Sequence, residues 1–93
     1  MAEGEYNLRA IRELLTRAFV NERELRRFLQ DRTEFRPVLD LVSTGAGLSD
    51  HVDELIAYCE SRLLFEELLA AIREVNPRQY AWYAPQVFAP GAR

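Results

Sequence analysis

Glycine and proline, the residues that interrupt helices, are almost confined to the two ends of this chain and two short interior breaks. Between Gly4 and Gly45 the sole breaker is Pro37, and between Gly47 and Pro77 there is none. A helix interior tolerates neither well, since Gly costs about 1 kcal/mol and Pro about 3 kcal/mol relative to Ala. The middle of the chain is therefore open to amphipathic helices. No segment shows the sustained two-residue alternation of a half-buried strand.

A chain of 93 residues makes one domain, because dividing it would leave no adequate core on either side. The hydrophobic share of 48% and charged share of 29% are those of a globular protein, not of a disordered chain. All twelve basic residues are Arg; codon bias accounts for this, and the planar guanidinium also suits carboxylate pairing across an interface. Cys59 is the single cysteine, so no internal disulfide forms and a reducing, cytoplasmic setting is expected. Glu3 and Glu5 stand where a secretory signal would carry basic residues. The longest apolar runs, such as Leu68 to Ile72, fall far short of the roughly twenty residues of a membrane span.

The first helix reads from Asn7 as N-cap to about Phe19, with Leu8, Ile11, Leu15 and Ala18 at helical spacing and Leu14 and Phe19 widening the stripe. Asn21 followed by Glu24 has the spacing of a capping box, and opens a second helix to about Arg32 whose apolar face is Leu25, Phe28 and Leu29. Thr33 is expected to cap a shorter third helix, with Pro37 in its first turn and Phe35, Val38, Leu39 and Val42 inward. Ser43 to Gly47 form the clear internal loop and the candidate mobile segment. Ser49 is expected to cap the fourth helix, with Val52, Leu55, Ile56 and Cys59 inward. The phase of the next apolar set, Leu64, Leu68, Leu69, Ile72 and Val75, is about half a turn off that face, which places a tight break around Ser61 to Leu63. Asn76 and Pro77 stop the fifth helix and start a short last one carrying Tyr80, Trp82 and Tyr83, with Pro85, Pro90 and Gly91 ending regular structure. The expected architecture is an all-α, compact antiparallel bundle of five to six helices. Its divisions are an N-terminal extension at 1–5, the domain at 6–84 and a tail or linker at 85–93.

Tyr6-Asn7-Leu8-Arg9, Glu24-Leu25-Arg26-Arg27-Phe28, Phe35-Arg36-Pro37-Val38, Tyr58-Cys59-Glu60, Leu68-Leu69 and Asn76-Pro77 occur in an order that resembles the bacterial effector-associated domains with a death-like fold. No single element is diagnostic; the succession carries the resemblance, over roughly residues 6 to 83. It implies a helical adaptor that associates like with like. Such adaptors are fused to or encoded beside an effector such as a caspase-like protease, a TIR domain or a nucleotide-binding switch, in bacterial defence or programmed death. One departure is Leu63, where similar sequences often have Gly, which bears on the geometry of that turn. The other is that no effector domain is present in this chain.

No set of reactive groups is assembled along the helices. His51 and Cys59 are eight residues apart on one helix, about 12 Å along its axis, too far for a thiolate–imidazole pair. Cys59 lies on the apolar face and is expected to be a buried, inert thiol, whereas His51, in a first turn, is expected at the surface. Asp50, His51 and Glu54 make a poor metal set beside the four ligands of a structural site, and Glu66 and Glu67 are accounted for by the favourable positive end of their helix. No catalytic residue, metal, cofactor, small-molecule substrate or membrane partner is expected. Charge is more informative: residues 7 to 36 hold eight Arg and five acids, a net of +3, and residues 37 to 75 hold two Arg and eight acids, a net of −6. Arg9, Arg12, Arg23, Arg26 and Arg27 are the candidate basic patch, and Asp50, Asp53, Glu54 and Glu60 the candidate acidic one. Placed on different faces, such patches allow head-to-tail association with a like domain. The plainer alternative is that these charges are solvated or paired within the domain. Trp82 and Tyr83 are possible aromatic contacts, the alternative being that the last helix simply closes the bundle. Two other functions compete with the self-associating adaptor: a passive docking domain for a different protein, and a small nucleic-acid binder using the second and third helices. The overall charge of −3 and pI of about 5.2 weigh against the latter.

Overall fold

In a computed structural model of the chain, the described residues are 6–43 and 45–88. Over these the chain folds into six α-helices: α1 (Leu8–Ala18), α2 (Glu22–Asp31), α3 (Val38–Leu41), α4 (Leu48–Arg62), α5 (Phe65–Val75) and α6 (Pro77–Val87), with a 3-10 turn at Thr33–Phe35 before α3. The class is all-α, with no strand among the described residues. None of these helices is long and apolar enough to cross a membrane.

Three asparagines start helices as their spacing predicts. Asn7 accepts from the Ala10 amide, Asn21 from that of Glu24 and Asn76 from that of Gln79. Each satisfies one of the four amides that a helix start leaves unpaired. Glu24 returns a carboxylate oxygen to the Val20 amide at 3.5 Å, so the reciprocal arm of the expected capping box reaches one residue earlier than Asn21 itself.

Other element ends depart from the expectation. Thr33 caps nothing: it sits inside the 3-10 turn, closed by Phe35 N–H to the Arg32 carbonyl, and α3 begins only after Pro37. Pro37 has no amide hydrogen for the Thr33 carbonyl and its ring crowds that oxygen, which disfavours a continuous helix across 33–41. Ser49 does not cap α4, because Gly47 takes that place and its carbonyl accepts from the His51 amide at 3.2 Å. In the preceding loop Ala46 N–H bonds to the Ser43 carbonyl, with Gly45 at φ +89; Thr44 lies outside the described residues. The break after α4 falls at Leu63 (φ 58, ψ 46), and the Leu63 and Leu64 amides both donate to the Cys59 carbonyl. Finally, Pro85 does not end α6. The helix continues to Val87, which is buried and whose carbonyl accepts from the Asn7 amide at 3.0 Å, so the last turn is anchored despite the amide lost at Pro85. Pro90 and Gly91 lie outside the described residues.

Long-range contacts give the helices their directions. The Tyr6 ring is 5.2 Å from Phe65 and 5.8 Å from Phe88, so the start of α1, the start of α5 and the end of α6 meet at one pole. At the other pole the Asn76 side-chain amide donates to the Ala18 carbonyl at 3.4 Å, joining the end of α1 to the α5–α6 junction. Thus α6 runs antiparallel to both α1 and α5. The core between them is Ile11, Leu14 and Leu15 of α1, Leu25 and Leu29 of α2, Val52, Leu55 and Cys59 of α4, and Leu68 and Ile72 of α5. Leu8 and Val75, expected on inward stripes, are instead exposed at helix ends where the stripe passes out of the bundle.

Candidate protein-interaction surface

The structure gathers the basic residues only in part. Arg23, Arg26 and Arg27, with Glu22 and Gln30, border a depression of about 400 Å³ along α2. Arg12 borders no part of it and is paired with Asp53 across the α1–α4 contact. Arg9 is exposed on α1 and borders no part of that depression. On the acidic side Asp50, Asp53 and Glu54 line a depression of about 520 Å³ whose remaining wall is Leu41 to Ser43, Gly45 and Ala46. Glu60 is exposed two turns further along α4, about 10 Å from Asp53 along the axis, and does not take part. Each patch is thus a set of three, and one Arg–Asp pair between candidates is already formed inside the molecule.

His51 corrects the expectation of a surface residue: it is 1% exposed. Its Nδ1 lies 2.7 Å from the Gly47 carbonyl and its Nε2 3.3 Å from an Arg26 guanidinium nitrogen. The tautomer with hydrogen on Nδ1 satisfies both contacts, donating to the carbonyl and accepting from the arginine. His51 therefore fixes the α4 start and holds Arg26 against α4, and neither ring nitrogen is spare for a metal. Among the described residues no three His, Cys, Asp or Glu side chains are gathered as a metal site. The signal was present in the sequence, since His51 precedes Leu55 and Cys59 at intervals of four on the inward face of α4. His51→Ala should cost about 2 kcal/mol, from the cavity and the lost imidazole hydrogen bonds to the Gly47 carbonyl and Arg26, and chemical denaturation reads it directly. An unchanged midpoint would remove His51 as a structural anchor.

The aromatic pair divides. Tyr83 is buried, whereas Trp82 is 72% exposed and, with Arg17, Arg78, Gln79 and the edge of Tyr83, lines a cleft of about 350 Å³ between α1 and α6. Cys59 is buried in the core, which pushes its thiol up to about 12, with the negative charge of Glu67 adding to the effect.

These features define a small all-α domain with its charged groups and Trp82 on the outside and most of its aromatic rings in or against the core. The chain belongs to the effector-associated domain 1 family, whose family model matches residues 1–84. Comparison with curated proteins and with solved structures gave no match. The family description ties the domain to effector proteins.

Proposed function

We propose that this domain is a non-enzymatic adaptor of death-like fold, which recruits or clusters an effector through contacts between like domains. The α2 depression of one copy, with Arg23, Arg26 and Arg27, receives the Asp50–Glu54 edge of the next. The observation that carries this reading is the presence of two separate depressions of opposite charge on one domain. Membership of an effector-associated family supports an effector as the partner; in this reading the effector is a protease, a TIR domain or a nucleotide-binding switch, and the process bacterial defence or programmed death. The working unit is residues 6–84, with the last turn of α6 extending it to Phe88, and residues 1–5 and the tail lie outside it. A cytoplasmic site of action accords with the lone cysteine.

A second reading, docking to a different protein without self-association, is favoured by one observation, the Arg12–Asp53 pair, which already neutralises one of the three carboxylates of the acidic depression. The two readings separate experimentally. Under the first, Arg26→Glu together with Arg27→Glu weakens self-association at least about tenfold at low ionic strength while helix content is unchanged, since like charges then face each other across a contact with little salt screening. Sedimentation identical to an associating wild type would overturn the α2–α4 contact. A wild type that remains monomeric yet is retained by an effector would establish the docking reading.

A further inference from the structure

Leu63 combines two properties that the domain itself does not reward. Among the described residues it is the one non-glycine with positive φ, a region that a side chain makes costly, and at 83% it is the most exposed large apolar residue. Glycine would make the same turn with less strain. Conformational strain retained at an exposed position points to a use outside the molecule.

The surroundings of Leu63 are acidic. Glu60, Glu66 and Glu67 are exposed around the turn, while the one neighbouring cation, Arg62, lies over its own helix with its guanidinium 4.9 Å from the Tyr58 ring. At the opposite pole the α1–α6 cleft is cationic and aromatic. Arg17 and Arg78 line it, no acidic residue does, and neither arginine belongs to either of the ion pairs found among the described residues. Arg78 also stands in the first turn of α6, where a cation opposes the positive end of the helix. The cleft thus lacks an acid and an apolar contact for Trp82, and the turn presents both.

They cannot meet within one molecule. The turn adjoins the start of α5 and the arginines adjoin its end, about 16 Å apart along this eleven-residue helix. We infer that the α4–α5 turn of one copy docks in the α1–α6 cleft of a second copy, Leu63 against the Trp82 indole and Glu66 and Glu67 facing Arg17 and Arg78. The contact is heterologous, so its repetition runs along the pole-to-pole axis of the domain. Trp and Arg are the residue types that dominate such contacts. The inference rests on the self-association reading, but uses a different surface from the α2–α4 contact.

Copies carrying Leu63→Cys, mixed with copies carrying Trp82→Cys and mildly oxidised, should give a disulfide-linked dimer, with the native Cys59 buried and silent. Leu63→Gly should raise Tm by about 4 °C, because the turn loses its strain, and yet weaken self-association at least about tenfold. The inference is overturned if the wild type associates and no mixed cross-link forms, or if Leu63→Cys copies alone cross-link as fast as the mixture. It is equally overturned if Leu63→Gly lowers Tm, which would make Leu63 an internal support, or raises it and leaves association intact. A wild type that stays monomeric at high concentration and low ionic strength overturns the self-association reading itself; an associating wild type without the cross-link overturns this contact alone.

Discussion

Phe35→Ala should destabilise the domain by about 3 to 5 kcal/mol, the largest loss expected from any single truncation here. The ring is fully buried at the turn joining α2 to α3 and stacks on Phe28 with centroids 6.3 Å apart. Phe28 in turn touches Phe19 at 5.1 Å and carries the Arg32 guanidinium on its face at 5.1 Å. One aromatic line therefore ties the end of α1 to α2 and to the turn. The turn cannot collapse to fill the gap, because Pro37 fixes its continuation. Against a total stability of about 5 to 15 kcal/mol for a domain of this kind, such a loss leaves a large unfolded fraction on warming. Urea denaturation of the variant beside wild type measures it, and a midpoint shift worth less than about 1 kcal/mol would show that the line bears little of the fold. The α3–α4 acidic depression should loosen with it, since Leu41 and Val42 follow directly on this turn.

The second large effect is chemical. Burial, with Glu67 as a smaller contribution, pushes the Cys59 thiol from 9.0 up to about 12. At pH 8 the reactive thiolate is then about a thousandfold scarcer in the folded protein than in the unfolded chain, and a thiol reagent should report unfolding, not exposure. Labelling that is fast in native buffer would place the thiol at the surface. The same shift has a sign for stability. The folded state keeps its proton longer, so this contribution is complete below pH 9 and is lost as pH rises from there towards 12. Cys59→Ala lacks it, and the Tm difference between wild type and variant should therefore move against the wild type across that alkaline range.

What was legible in the sequence was local chemistry. Asn7, Asn21 and Asn76 cap their helices because cap and amide lie three residues apart, and the α4–α5 break shows in the phase of apolar residues on either side of it. What was not legible depends on partners distant in the chain. Pro85 reads as a stop until Val87 is seen anchored to Asn7, and Arg12 reads as free until α1 lies on α4 and brings Asp53 beside it. For the aromatic pair the information was present: Tyr80, Tyr83 and Val87 share one face at intervals of three and four, which leaves Trp82 about 100° round the helix and outside. His51 reads as a surface residue from its place in a first turn, although its phase puts it on the inward face with Leu55 and Cys59. The membership of the two charge patches could not be read from helix faces alone, because Glu60 shares the helix of Asp53 but stands two turns beyond the depression.

The backbone bond from Asn7 to Val87, reinforced by Tyr6 against Phe88, puts both exits of the folded unit side by side. Anything tethered to either exit would hang from the same pole, leaving the Arg17–Arg78 pole clear of its bulk. Such a unit could be grafted into the loop of another protein, or circularly permuted with a short bridge across that gap, with little penalty to its fold.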